Sequence, residues 1–248
     1  MRIDRWLRHG ARIGAIALVI AGSSGAASAQ SPEASTPAPN RSFFAQSRQY
    51  PLLPRELETE LALSAAPPHV RDGATVLVLD ATGFVTAVRR SNAFTCMVSR
   101  RGGDLFPVCW DAEGARSLLP IDVDDAQLRL QGKSGAEIDR AVTAGFASGH
   151  YLPPSRAGLA YMLSPLRYRI DERGQVTRSN PNPHVMFYGP NLTDADIGGL
   201  RGSVVFMNKV GPDGMIIVPV GQKERDAIVS ESQSLTERLE RAIGYEPK

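Results

Sequence analysis

The sequence has little of several features that would indicate a function directly. It contains two cysteines, 6% aromatic residues and 28 basic against 26 acidic side chains. No apolar run reaches the roughly 20 residues that a membrane-spanning helix needs. The near-balance of charge gives no footprint for nucleic acid or for an anionic lipid surface. We therefore predict no nucleic-acid partner, and no membrane span in the processed chain.

Recognisable catalytic and cofactor motifs are also missing. The chain has no G-x-S-x-G, S-x-x-K or H-E-x-x-H segment, which removes the most familiar serine and zinc hydrolases. Residues Gly132 to Ser134 match only the end of a phosphate-binding loop, because Gln127 stands where its first glycine should be. Residues Asp122 to Asp125 begin like a calcium loop, but Ala126 and Gln127 break the pattern. We predict no cofactor, and the sequence leaves the use of a metal open.

The amino terminus has the order of a secretion signal. Four arginines lie within the first twelve residues, a nine-residue apolar run follows from Ile13 to Ala21, and small residues continue to Ala29. We predict that residues 1–29 are removed before Gln30 and that the product is periplasmic or secreted. Without these residues the balance is 24 basic to 25 acidic side chains. Residues 30–42, rich in proline and small polar residues, are predicted to be a disordered leader, and 43–248 a single globular domain.

The two cysteines are predicted to form a disulfide. Apolar runs flank the Gly102-Gly103 pair, and such a pair between two runs is typical of a two-residue hairpin turn. In that register Cys96 lies opposite Cys109 at a non-hydrogen-bonded position, where the Cα atoms are about 4.5 Å apart, within the range a disulfide spans. Pro107 then falls where its missing N–H leaves the hairpin ladder intact. A bridge of this kind belongs to an oxidising compartment and excludes a cysteine nucleophile.

The remaining patterns predict an α+β fold with a mostly antiparallel sheet and flanking helices. A helix over 54–66 is followed by strands at 75–79 and 84–89, which we expect to lead into the disulfide hairpin as a β-meander. Helices are predicted at 122–131, at 135–148 after a Ser134–Glu137 capping box, and at 223–243. Strands are expected at 159–164, 168–170, 176–178, 185–188, 204–208 and 215–220.

His184 is the first candidate for a functional residue. Strand alternation places His184, Met186 and Tyr188 on one face, and Asp194 and Asp196 follow at an expected helix start. A pocket edged by His184 and Tyr188, with Asp194 or Asp196 orienting the imidazole, could support general-base chemistry or metal binding. A packed histidine beside first-turn acids is the competing explanation.

Three segments together resemble a family of exported bacterial proteins of unknown function. They are the disulfide hairpin with the Asp111 to Glu113 segment and Gly114 after it, the strand from Leu159 to Ser164, and the segment from Pro183 to Tyr188. The similarity covers most of residues 54–221. It implies export and a single domain, and it brings no known activity or catalytic residues.

Three functions remain open on the sequence alone. The favoured hypothesis is a periplasmic or secreted module that binds a small molecule or an envelope or extracellular partner. The second is a hydrolase or metal-dependent enzyme that uses His184 with Asp194 or Asp196. The third is an inhibitor or partner-binding surface built on exposed strand edges.

Overall fold

The disulfide hairpin forms as the sequence predicts. The computed structural model describes residues 52–171, 174–179, 182–200 and 203–246. Strands β3 (Thr95–Ser99) and β4 (Asp104–Trp110) pair antiparallel with Cys96 opposite Cys109. Gly102 and Gly103 both have positive φ, which the tight turn requires and glycine adopts without strain. The Cys96–Cys109 disulfide is present, with its Cα atoms 3.9 Å apart.

Pro107 lies at the point where one edge of β4 changes from one partner strand to another. The first half of β4 pairs with β6 (Arg167–Ile170) and its end pairs with β5 (Leu159–Met162). Because Pro107 falls between these two pairings, neither needs the N–H that proline lacks. The predicted signal peptide and leader, residues 1–42, lie outside the described residues.

The remaining elements agree with an α+β fold. The other strands are β1 (Thr75–Asp80), β2 (Gly83–Val88), β7 (Val176–Ser179), β8 (His184–Tyr188), β9 (Phe206–Met207) and β10 (Met215–Pro219). The helices are α1 (Arg55–Leu63), α2 (Pro68–Arg71), α3 (Ala112–Ser117), α4 (Leu119–Leu130), α5 (Gly135–Ser148), α6 (Gln222–Glu231) and α7 (Gln233–Ile243). The capping box at Ser134 is formed, and Gly149 ends α5 in the left-handed conformation. No helix among the described residues is long and apolar enough to cross a bilayer.

The predicted β-meander is wrong in one pairing. The sheet runs β2-β1-β3-β4-β5-β8-β10-β9, and β3 pairs with β1 in parallel. The chain after β2 returns past the end of β1, where Asn92 N donates to Gly73 O and Thr75 N to Phe94 O. Strand β2 is therefore an edge strand, and the disulfide hairpin lies in the interior of the sheet.

Two other predicted boundaries also change. Helix α4 begins at Leu119 instead of Asp122, with Pro120 in a first turn where its missing N–H has no partner to lose. The closing helix is divided at Ser232 into α6 and α7. Of the two, only α7 has an apolar stripe, formed by Leu235, Leu239 and Ile243. Therefore only α7 packs against the core.

The sheet separates two apolar cores. On one face, α1 and α7 pack on Val76, Cys96 and Cys109. On the other face, Leu118 and Ile121 at the start of α4 pack on Met97, Trp110 and further residues of β5, β8 and β10. The disulfide belongs to the α1 face, and the opposite face is left to form the site described below.

Removing the disulfide should lower the free energy of unfolding by ~3 kcal/mol, as estimated for a closed loop of about 15 residues. We expect this loss for Cys96→Ala/Cys109→Ala in urea denaturation under non-reducing conditions. Under reducing conditions the variant and the reduced wild-type protein should differ by less than ~1 kcal/mol, because neither then has the bridge. Equal stability of the two proteins without reductant would contradict the prediction.

Candidate functional site

A cavity of about 740 Å³ opens on the sheet face opposite the disulfide. Its floor comes from alternate residues of β4, β5, β8 and β10, which point to one face because side chains alternate along a strand. The main apolar lining residues are Phe106, Trp110, Met162, Met186, Met215 and Ile217. Pockets of ~300–1,000 Å³ with apolar walls and a few polar groups are typical small-molecule sites.

Two buried polar atoms of this cavity lack a partner. Trp110 Nε1 and Asp122 Oδ2 are buried and make no hydrogen bond to any described residue. Both residues line the cavity and are at most 2% exposed. An unpaired buried donor or acceptor costs ~1–3 kcal/mol, so native proteins rarely leave one without a purpose. The indole donor and the carboxylate acceptor lie close to each other behind the cavity wall.

The environment of Asp122 favours its protonated form. Burial raises the pKa of Asp122 from 3.8 to about 6, against the opposing effects of Arg101 and of a hydrogen bond from Ser99. Ser99 Oγ donates to Asp122 Oδ1 at 3.0 Å. The Trp110 indole also lies near enough to lower this pKa, although its geometry falls short of a hydrogen bond.

One end of the cavity carries a triad of charges. Arg101 and Lys209 both line the cavity and both contact the carboxylate of Asp213, with Lys209 Nζ at 2.6 Å. Burial acts to lower the pKa of Arg101, but the carboxylates of Asp122 and Asp213 outweigh it and raise the pKa. Burial acts to raise the pKa of Asp213, but its two cations outweigh it and lower the pKa. Both shifts favour the charged forms of Arg101 and Asp213.

A second triad is centred on Asp104. Arg167 and Arg169 both contact the Asp104 carboxylate, with Arg167 Nε at 2.9 Å and Arg169 Nε at 2.7 Å. Arg167 lines the cavity and its guanidinium lies 5.2 Å from the centroid of the Phe106 ring. This stacking, together with the ion pair, holds the guanidinium at the cavity wall.

His184 lines the same cavity, but its hydrogen bond is to the backbone. Its Nδ1 lies 2.7 Å from the carbonyl oxygen of Asn182, which requires an N–H at that position. Burial and the nearby Arg167 lower the pKa of His184, while the Asn182 contact opposes them. The neutral imidazole therefore has an acceptor at Nε2. As predicted, His184, Met186 and Tyr188 share one buried face of β8.

Tyr188 has a structural role, because its hydroxyl connects neighbouring elements of the fold. Its hydroxyl lies 2.7 Å from Asp111 Oδ1 and 2.8 Å from Leu159 O. Gly114 and Gly158 pack directly on it, and a Cβ at Gly158 would lie 2.7 Å from the Tyr188 ring. Burial and Asp111 raise the pKa of Tyr188. The hydroxyl ties β8 to the start of α3 and to β5.

Asp194 and Asp196 both accept hydrogen bonds from residues other than His184. Asp194 Oδ1 accepts from Met207 N at 2.6 Å. Asp196 Oδ2 accepts from the backbone and the hydroxyl of Thr193, which lower its pKa. The residues after Thr193 form turns, so the expected helix start is wrong. The hydrogen bonds of the described residues thus join neither acid to His184.

Reasoning from the sequence did not identify Trp110 and Asp122 as residues of the candidate site. Asp122 lies in the first turn of the helix, as predicted, but the start at Leu119 also places it on the inward face with Leu118 and Ile121. The signal that could have identified Asp122 is its position directly after Ile121, on the apolar side of the helix that also includes Leu118. Nothing local indicates that Trp110 of β4 lies near Asp122, because that contact is made only in the folded chain.

Comparison of the chain with models of protein families, with curated proteins and with solved structures finds no significant match. The resemblance to exported bacterial proteins thus stays a prediction. Within the residues that the structure describes, no group of three or more His, Cys, Asp or Glu side chains is arranged to hold a metal ion.

Asp122 should make stability fall with rising pH. Its pKa is higher in the folded chain, so its contribution is complete below pH 3.8 and is lost as the pH passes about 6. Two pKa units correspond to ~3 kcal/mol. Asp122→Asn has no carboxyl group to ionise. In urea titrations, its free energy of unfolding relative to that of the wild type should therefore rise by ~3 kcal/mol from pH 4 to pH 8. Parallel pH profiles for the two proteins would refute this assignment.

Tyr188→Phe should lower the free energy of unfolding by ~1–2 kcal/mol, because the hydroxyl bonds a charged carboxylate. The matched control is Tyr161→Phe on the neighbouring strand, whose ring lies on the opposite face of the sheet in the α1 core. The control should stay within ~0.5 kcal/mol of wild type. Urea denaturation measures both, and equal effects of the two substitutions would argue against the structural role of Tyr188.

Proposed function

We propose that this protein is an exported module that binds a small molecule in the cavity over β4, β5, β8 and β10. The observation that carries the proposal is an apolar cavity of about 740 Å³ whose wall also has a few polar side chains, among them Arg101, Arg167 and His184. An apolar wall with a few polar groups is the usual composition of a small-molecule site.

The floor supports an apolar ligand body. Met162, Met186 and Met215 line it beside aromatic rings. Methionine is unbranched and polarisable, so a floor of this kind adapts to a ligand with little strain.

Export is supported by the disulfide and by the predicted signal. Disulfides persist in oxidising compartments and are rare where thiols are kept reduced. Cys96 and Cys109 are both fully buried beneath α1, where a bridge stabilises the core. The signal pattern of residues 1–29 agrees with the same compartment.

An enzyme that uses His184 is the second candidate. His184 lines the cavity and its Nε2 is an acceptor, as a general base requires. Asn182 O, and not a carboxylate, orients its ring, which leaves an imidazolium without the acidic partner that usually stabilises it. The binding function is favoured for this reason.

A partner-binding surface is the third candidate. Leu200, Val204 and Val210 are 72%, 77% and 62% exposed in the loops around β9. Leu200 and Val204 precede β9 and Val210 follows it, whereas the cavity concentrates apolar area with polar groups that could orient a ligand.

The binding proposal is tested with N-phenyl-1-naphthylamine, a neutral aromatic probe with one N–H donor whose emission rises in apolar surroundings. We expect saturable binding to the full chain with a dissociation constant of about 1–10 μM, equivalent to ~7–8 kcal/mol. In a Trp6→Phe background Trp110 is the one remaining tryptophan. Its emission should then fall as the probe binds.

Two neighbouring residues of β8 give a matched control. Met186 lines the cavity, whereas Phe187 points to the opposite face and is 42% exposed. Met186→Trp should narrow the cavity at its floor and raise the dissociation constant at least about tenfold, and Phe187→Trp should leave it within about twofold. Circular dichroism verifies that both variants are folded. Equal binding by Met186→Trp and wild type would place the probe elsewhere and overturn the proposal.

A further inference from the structure

Two thioethers and an imidazole occupy neighbouring positions on the cavity floor. Met162 of β5 is directly opposite His184 of β8, and side chains in that relation have Cβ atoms ~4.5–5.5 Å apart. Met186 is two residues after His184 and is buried on the same face of β8. All three side chains line the cavity. Each of them therefore has both a neighbour with a metal-binding atom and access to the same space.

The His184 ring is oriented as it is in many metal sites. A histidine that binds a metal through one ring nitrogen usually donates the N–H of the other to a carbonyl or a carboxylate. The contact of His184 Nδ1 with the carbonyl oxygen of Asn182, at 2.7 Å, has this form. No described residue forms a hydrogen bond with Nε2, so its lone pair is left for a ligand from the cavity.

The donor set favours a soft ion of single charge. Thioether sulfur prefers Cu(I) among the biological metal ions, whereas carboxylate and carbonyl oxygens suit magnesium, calcium and manganese. None of the three donors carries a charge, so the set would leave both charges of a divalent ion unneutralised. Burial of an ion in apolar surroundings costs free energy that rises with its charge, which again favours a monovalent ion.

Arg167 adds to this selection for low charge. It lines the same wall, and its charge lies near enough to lower the pKa of His184, so it also repels a bound cation. Asp104 opposes this repulsion, because its Oδ2 accepts a hydrogen bond from Arg167 Nε at 2.9 Å. The repulsion that remains grows with the charge of the ion and is smallest for a monovalent one.

Strand β10 limits the site on the other side of His184. Pro219 is opposite His184 in the pairing of β10 with β8, and its side chain has no donor atom. Met215 is opposite Tyr188, four residues from His184, which corresponds to ~13 Å along the strand. Met215 thus has the same sulfur in the same cavity but lies away from the imidazole, which makes it a matched control.

We propose that Met162, His184 and Met186 bind one Cu(I) ion through two thioether sulfurs and the imidazole Nε2. The site goes beyond the proposed binding of an organic molecule and does not depend on it, because the ion needs only these three side chains. Its ligands also differ from the acids that the sequence suggested as partners of His184, since Asp194 and Asp196 bond elsewhere.

Silver nitrate in chloride-free buffer provides the first test, because Ag(I) is soft like Cu(I) and is not oxidised by air. We expect isothermal titration calorimetry of the full chain to show saturable binding of a single ion. In the Trp6→Phe background, the emission of Trp110 in the same cavity should fall with the same stoichiometry. Zinc sulfate should neither reproduce nor prevent this change.

Three matched substitutions identify the ligands. Leucine keeps the approximate volume and the apolar character of methionine but has no sulfur, so the fold should be retained. Met162→Leu and Met186→Leu should each raise the dissociation constant for Ag(I) at least about tenfold, and Met215→Leu should change it by less than about twofold. Circular dichroism verifies that the variants are folded. Any silver bound at Met1 is a background common to all of them.

X-ray absorption identifies the donor atoms of the copper form. Cu(I) is supplied with ascorbate under argon, and a competing chelator, bicinchoninate, reports the amount that the protein takes up. The spectrum should contain sulfur and nitrogen neighbours in the wild type. It should lose a sulfur in Met186→Leu and the nitrogen in His184→Gln.

The outcomes separate this site from the proposed function. All three Met→Leu variants should bind N-phenyl-1-naphthylamine within about threefold of the wild type, because the floor stays apolar. Equal effects of the three substitutions on Ag(I), whether large or small, would overturn the metal site, and so would zinc binding as tight as that of silver. The organic ligand would then still be decided by the probe. Silver binding that needs Met162 and Met186 but not Met215 would support the site even if the probe did not bind.

Discussion

The register of the β3–β4 hairpin is the constraint on which the rest of the structure depends. The disulfide holds Cys96 opposite Cys109, and in this register the turn after β3 places Arg100 on the α1 face and Arg101 at the cavity. A slip of one residue would exchange the two arginines. The core would then lose the partner of Glu58, and the cavity would lose the cation that contacts Asp213. One covalent bond thus fixes the chemistry on both faces of the sheet.

The buried ion pair of the α1 core makes that register specific. Arg100 and Glu58 are both fully buried, and Glu58 Oε1 accepts from Arg100 and from Leu79 N. Burial raises the pKa of Glu58, and the Arg100 charge opposes this shift. A buried pair of this kind contributes little net stability, because the loss of hydration offsets the attraction. It does disfavour any packing that separates the two charges, so it selects one arrangement of α1 on the sheet.

Local features of the fold could be predicted from the sequence, and distant contacts could not. The hairpin register follows from Gly102, Gly103 and two cysteines, all within fourteen residues. The capping box at Ser134 is equally local. The parallel pairing of β1 with β3 has no local signal, and neither has the approach of Asp122 to Trp110. At the candidate site, alternation predicted the face of His184 correctly. The nearby acids bond elsewhere, Asp196 within its own turn and Asp194 to Met207 of β9, and neither is joined to the histidine.

The methionine-rich floor has a consequence for the shape of the cavity. Met162, Met186 and Met215 are unbranched and can change rotamer at little cost, so the wall they form has no single rigid outline. The two triads, in contrast, are each held by two ion pairs. The cavity is therefore deformable at its floor and fixed at its ends, so its volume can change without any movement of the sheet backbone.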